Sequence, residues 1–413
     1  MIISRLRAVC GVVEPHVRRL AGADMLSGFR TVENAWLRID DGRIVGLGTM
    51  DTMPAPGSGE EHIVAEGAVA VPAFADSHTH IVYAGSRHGE FVDKIRGMSY
   101  EEIAARGGGI LNSADRLRQC SEDELFSQSV ARLREVMGKG TGAIEIKTGY
   151  GLDTPSELKM LRVIARLAEA TPVRVRATWL GAHAVGREYA GRPDDYVDML
   201  VADMLPAIAA EGVADYVDVF CDAGFFTPAQ TARILEAAAH YGMKPKIHAN
   251  ELAVSGGVQT AVAHHAVSAD HLERIDTAEI ALLGLSDTIA TMLPGASFFL
   301  GMPYAPARRA VDSGCTVALA SDYNPGSSPS GDMRMVWALG CIKMKLLPME
   351  ALCACTLNGA AAMELSDSYG AIAPGRPANF ILSRPVSAPE FIPYSYTTPW
   401  IDRIFLGNNI IKQ

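Results

Sequence analysis

The sequence is short of the features that mark several large protein classes. It has no CxxC pair. Its seven cysteines (Cys10, Cys120, Cys221, Cys315, Cys341, Cys353 and Cys355) are odd in number and scattered, which excludes a disulfide framework or a thiolate zinc cluster and points to buried, reduced thiols. Basic charge is scarce: 37 Lys and Arg face 47 Asp and Glu, a formal net charge of -10, so no sequence-independent grip on nucleic acid or an anionic membrane is expected. The longest stretch without a formal charge, residues 288–307, is interrupted by Pro294, Pro303 and Pro306 and does not read as a membrane helix. Near the N-terminus only six apolar residues separate Arg7 from Glu14, too few for a secretion signal. The expectation is a soluble, cytoplasmic protein.

Nucleotide and serine-hydrolase motifs are absent too. Residues 138–143 match GxGxxA on paper but precede a strand instead of following one, and Gly107-Gly108-Gly109 has no GK[ST] behind it, which leaves it as a loop near the mouth of the fold. Gly326-Ser-Ser-Pro-Ser330 ends in Ser where a GxSxG elbow needs Gly.

What is present is a long chain of 413 residues, 48% hydrophobic, able to bury a sizeable core. Residues 34–70 carry short alternating runs with an Asp40-Asp41-Gly42 hairpin turn, read as antiparallel sheet, and a similar style returns after residue 365. Between them, apolar β-rich runs alternate with helical patterns such as residues 122–140, 156–170, 196–212 and 227–242. The β-rich runs cover residues 69–80, 143–150, 173–183, 215–222, 244–252, 265–272, 288–295 and 316–324. Eight such units give an α/β fold, a (β/α)8 TIM-type barrel over 71–364, with a small β-sandwich domain built from both chain ends, 1–70 plus 365–413. An open doubly wound sheet is the competing arrangement.

Chemistry gathers where these strands end. The first run closes on Asp76-Ser-His78-Thr-His80, and side chains two apart on a strand point the same way, so both imidazoles can reach one ion. The fifth run carries His248, the sixth Asp270-His271 and the eighth Ser321-Asp322, all at the C-terminal rim where barrel active sites form. Imidazoles and carboxylates with an open position make a hydrolytic metal centre. The other histidines serve as a control: His16 and His62 fall in the sheet region, His240 ends a helix, His264 and His265 close another, and His88 sits in a loop facing solvent. Lys147 reads as an ion-pair partner of Glu145 on the same strand face.

These motifs resemble the amidohydrolase superfamily. Within it, the chain is most similar to the imidazolonepropionase family of histidine degradation, through His78-Thr-His80, Ala84-Gly-Ser-Arg87, Gly107-Gly-Gly-Ile110, Lys147-Thr-Gly-Tyr150, Leu180-Gly-Ala-His183, Lys246-Ile-His-Ala249, Ser268-Ala-Asp-His-Leu272 and Asp322-Tyr-Asn-Pro-Gly-Ser327. The resemblance implies one metal, zinc or iron, held by His78, His80, His248 and Asp322, and a single ion because the fourth run has no lysine to bridge a second. It implies hydrolysis of the cyclic amide 4-imidazolone-5-propanoate to N-formimidoyl-L-glutamate, and a homodimer. It also places Arg87, Tyr150, His183, Asn324, Gly326 and Ser327 around the substrate, the last three doubling as a tight turn.

Roles follow from the chemistry. A bound cation makes water acidic enough to serve as nucleophile near neutral pH. Asp322 can accept its proton, and His271 can face the same water or polarise the carbonyl. Glu251, three residues past His248, can contact substrate or shuttle a proton. The Arg87 fork suits a carboxylate tail. A guanine-deaminase-like cyclic amidine deaminase is the alternative activity, and a non-catalytic scaffold the alternative class.

Overall fold

A computed structural model describes residues 1–98, 102 and 108–413. Its centre is one sheet of eight parallel strands: Phe74–Asp76, Thr141–Lys147, Arg174–Ala182, Tyr216–Cys221, Lys244–Ala249, Ser268–His271, Ile289–Met292 and Val317–Leu319, each paired with its neighbours in sequence order. The strands lie inside the expected β-rich runs except at two boundaries. Thr141 precedes the second run by two residues. The first run, 69–80, divides between two sheets: Val69–Pro72 pairs with Ile2–Val12 and Asn379–Ser383, and the chain crosses at Ala73 before Phe74–Asp76 enters the barrel. Both halves are equally buried, so apolar patterning does not reveal the crossing.

The first and eighth strands meet just beyond their C-terminal ends. A lone parallel bridge joins Thr79 to Tyr323, with the Asp322 N–H donating to the His78 carbonyl (3.0 Å) and the His80 N–H to the Tyr323 carbonyl (2.9 Å). The Asp76 carboxylate accepts the Ser321 N–H and hydroxyl at 2.9 and 2.6 Å. Burial pushes the Asp76 carboxyl up to about 7. The competing open sheet is thereby replaced by a nearly closed barrel, and the seam carries three of the candidate ligands.

Helices on the outside start where the sequence offers caps. Ser121 accepts from Glu124 N at the head of Glu122–Gly138, and Thr227 with Gln230 forms a capping box before Pro228–Ala239. The helical run at 196–212 is not uniform: Pro193–Met199 passes through a π-helical stretch, Leu200–Met204, before Leu205–Glu211. Pro206 has no N–H to return to the preceding turn, and the helix widens there.

The chain ends build the second sheet, ordered Asn409–Lys412, Ile401–Leu406, Asn379–Ser383, Val69–Pro72, Ile2–Val12, Arg30–Asp40, Arg43–Thr49, with His62–Val64 also on Ile2–Val12. It is mixed instead of purely antiparallel, because Ile2–Val12 runs parallel to Val69–Pro72 and to His62–Val64. Leu6, Leu37, Ile44, Phe380 and Phe405 pack into its own apolar cluster. Asp41 and Gly42, both at positive φ, make the expected hairpin turn. The seven cysteines are free, and among the described residues no helix is long and apolar enough to cross a membrane.

Candidate metal centre

The rim of the barrel gathers residues that lie far apart in sequence. His78, His80, His248, His271 and Asp322 are each at most 3% exposed, and their rings and carboxylate face one another. Asp322 and His271 both adopt left-handed backbone, φ 54° and 82°, as the chain turns sharply off its strand. Such conformations cost of order 1–3 kcal/mol each and persist where surrounding structure dictates them.

Second partners fix which ring nitrogens point inward. The His78 Nδ1 lies 2.7 Å from Asp270 Oδ2, so it carries the hydrogen and the Nε2 lone pair is free. The His248 Nδ1 lies 2.9 Å from Asp218 Oδ2 without the alignment of a hydrogen bond, and neither of its buried ring nitrogens has a hydrogen-bond partner among the described residues. His78 Nε2 and His80 Nε2 stand 3.3 Å apart, and Asp322 Oδ1 is 3.6 and 3.7 Å from them. Ligand atoms held ~2.1 Å from one tetrahedral ion are ~3.4 Å from each other. The donor set therefore fits a single cation. Burial, reinforced by Lys147 for His78 and by His183 for His80, keeps both imidazoles well below the usual histidine range, in the neutral form that ligates.

A second grouping, His78, His248 and His271, is also close enough to share an ion. Charge tells against His271, which leaves His248, its ring centre 4.5 Å from that of His78, as the ligand that this grouping adds. Burial opposes a charge on His271, but Glu251 and Glu273, 3.6 and 3.5 Å from its Nδ1, raise it well above the usual range. A protonated imidazole donates hydrogen bonds and is a poor ligand. Burial also pushes the Glu251 carboxyl up to about 7, aided by Glu273 and Asp322 and opposed by His271, so it exchanges protons readily near neutral pH.

A cavity of about 680 Å³ opens over these groups, within the range of small-molecule sites. Its walls include each candidate substrate contact: Arg87, Tyr150, His183, Glu251, Asn324, Gly326 and Ser327. His183 stacks on His80 with ring centres 5.2 Å apart, its Nδ1 on the Gly149 carbonyl at 3.0 Å, and burial drives its pKa to about 3. The turn after the eighth strand proves to be a turn and a wall at once. Asn324 Oδ1 accepts the Gly326 and Ser327 N–H groups at 2.7 and 2.8 Å, and Ser327 Oγ donates to Asp322 Oδ2 at 3.1 Å, leaving Oδ1 for the imidazoles. Gly107 of the glycine triplet lies outside the described residues.

Arg87 is not an open fork. Its Nε and Nη2 donate to Glu90 Oε2 at 2.8 and 2.6 Å, so only the Nη edge remains for a ligand. Gly326 is what admits that edge: a Cβ there would sit 2.1 Å from Arg87 Nη1. Gly326→Ala is expected to displace the guanidinium and raise KM about ten-fold while leaving kcat and the melting temperature near parental. Steady-state kinetics and calorimetry check this, and an unchanged KM would separate Arg87 from the ligand.

Sequence reading missed Glu90, Glu273, Asp218 and the aromatic pair Phe220 and Phe225, stacked 4.0 Å apart in the cavity wall. Glu90 and Glu273 lie three and two residues from Arg87 and His271, a local spacing that could have pointed to them, whereas Asp218 meets His248 across strands. The control histidines stay apart: His62 bonds Ser4, His88 bonds Ser86, and His16, His240 and His265 are exposed. Lys147 pairs with Glu145 at 2.5 Å as expected.

Comparisons with known proteins bear on the fold and the family. The amidohydrolase family pattern matches residues 69–402. An imidazolonepropionase from Christiangramia forsetii is 46% identical over 411 residues, covering 100% of both chains, and one from Parabacteroides distasonis is 42% identical over 93% of this chain and 92% of its own. Among solved structures, an atrazine chlorohydrolase from Arthrobacter aurescens complexed with zinc superposes with TM-score 0.72 at 16% identity, covering 100% of this chain and 95% of that one. Escherichia coli guanine deaminase gives TM-score 0.71 at 14% identity, with 100% and 98% covered. The structural likenesses speak for the fold, and the sequence identities for the group: the chain belongs to the amidohydrolase family and, within it, to the imidazolonepropionases.

Proposed function

We propose that this chain hydrolyses the ring amide of 4-imidazolone-5-propanoate to N-formimidoyl-L-glutamate, using one zinc or iron ion held by His78, His80, His248 and Asp322. The observation that carries the reading is the meeting of the His78 and His80 Nε2 atoms with the Asp322 carboxylate, with His248 beside His78, beneath a cavity with an arginine on its wall. The ion, when bound, supplies a water acidic enough to attack near neutral pH and a positive charge for the carbonyl oxygen.

The chain's own groups do the rest. Asp322 accepts the proton of the attacking water. His271, charged by its glutamate neighbours, donates a hydrogen bond to the carbonyl oxygen as negative charge develops there. Glu251 contacts the ring and returns a proton to the departing nitrogen. Tyr150 and His183 hold the ring, while Asn324, Gly326 and Ser327 line its far side. Arg87 takes the propanoate through the edge that Glu90 leaves open.

Loss of imidazolonepropionate with formation of formimidoyl-glutamate is the direct assay. Ammonia release from purines, with no turnover of imidazolonepropionate, would instead favour the cyclic amidine deaminase. Arg87→Ala is expected to raise KM about 10- to 100-fold with kcat little changed, the effect of losing a charge-assisted contact. Unchanged constants would sink the tail assignment. The reading also carries a homodimer and a cytoplasmic location, and light scattering on the purified protein checks the former.

A further inference from the structure

Beneath the rim lies a layer of charge that the reaction itself does not use. Lys147, on the second strand, is wholly buried, and its Nζ lies 2.5 Å from Glu145 Oε1, 2.8 Å from Asp218 Oδ2 and 3.5 Å from Asp270 Oδ2. The last two atoms are the same oxygens that hold His248 Nδ1 and His78 Nδ1. One ammonium thus touches both carboxylates that orient two candidate ligands, reaching from the second strand to the fourth and sixth across the barrel interior. Alternate strands of such barrels point side chains into a common layer, which is how three distant strands can meet at one atom. The other buried lysine, Lys246, pairs with Glu145 and reaches neither aspartate in this way.

We infer that Lys147 is a positioning residue for the metal centre: it pins Asp218 and Asp270 together, and through them sets the ring orientation of His248 and His78. Two adjacent buried carboxylates repel each other without a shared counter-ion, and each is then free to turn its oxygen away from its imidazole. The partners behind metal-binding histidines typically control affinity by 10- to 100-fold. Here one lysine governs two of them, so its loss should reach both ligands at once. The inference rests on the ligand set proposed above.

The test compares Lys147→Met with Lys246→Met, both removing a buried ammonium from the same network. Metal affinity is read by chelator competition on the purified holoprotein, and ligand geometry by the visible absorption of the cobalt-substituted form. Lys147→Met is expected to weaken metal binding about 10- to 100-fold or more and to shift the cobalt bands, with kcat lowered more than KM is raised. Lys246→Met should hold metal within about three-fold of the parent even if it melts earlier. Parental affinity and spectrum in Lys147→Met, or an equal loss in Lys246→Met, would overturn the inference. Should Lys147→Met not fold, Asp218→Asn and Asp270→Asn carry the test with the lysine in place, and parental metal affinity in either overturns it. A parent protein without stoichiometric metal would overturn the ligand set itself, a result distinct from these.

Discussion

Asp322→Asn is expected to lower kcat/KM at least ~1,000-fold while leaving the fold intact. The substitution is isosteric, and the position is shaped by its surroundings: left-handed backbone, the Ser327 hydroxyl on Oδ2 and the Asn324 amide on its carbonyl. It changes what faces His78 and His80. An amide has one oxygen, with its lone pairs, and one NH2 that cannot ligate, and neither atom accepts a proton as a carboxylate does. A general base alone is worth ~10²–10⁴ in rate, and weakened metal retention adds to the loss. Stability should move the other way in the metal-free protein. Burial raises the Asp322 carboxyl, so its charge disfavours the folded state at neutral pH, and a neutral amide removes that cost. Kinetics, elemental analysis and calorimetry of the stripped protein together check this, and near-parental turnover would mean that the ligand set has to be redrawn.

Stripping the protein with a chelator should abolish turnover and lower its melting temperature, and returning zinc or iron should restore both. The charge inventory gives the reason. In the layer under the imidazoles, Lys147 and Lys246 face Glu145, Asp218 and Asp270, leaving one negative charge, and Asp322 brings a second. A bound cation would add positive charge beside Asp322. Without it, the buried Asp322 carboxylate faces the imidazoles of His78 and His80 at 3.6 and 3.7 Å with no cation between them. An ion that binds only the folded chain stabilises it by about 2.7 kcal/mol at a concentration 100-fold above its Kd. Melting curves at graded metal concentration read that slope directly. A stripped protein with parental activity and melting temperature would remove the metal from the proposal.

Much of this was legible in the residues alone. Eight apolar runs separated by capped helices announce a parallel α/β fold, barrel or open sheet, because a parallel strand buried on both faces must be apolar throughout and must be followed by a crossover. The HxH at one strand end and the His and Asp at others mark the rim, since strand periodicity turns alternate side chains one way. Tertiary structure alone decided the rest. The run from Val69 crosses between two sheets, a division invisible where both are equally buried. Glu90 takes one edge of Arg87 three residues before it, a local contact whose form the helix start decides, while Glu251 reaches His271, and Lys147 meets Asp218 and Asp270, across strands of the barrel. Sequence fixes which groups stand at each strand end, because that follows from local period. Which of them share a hydrogen or a charge depends on distances of a few ångströms across the barrel, and no local pattern encodes those.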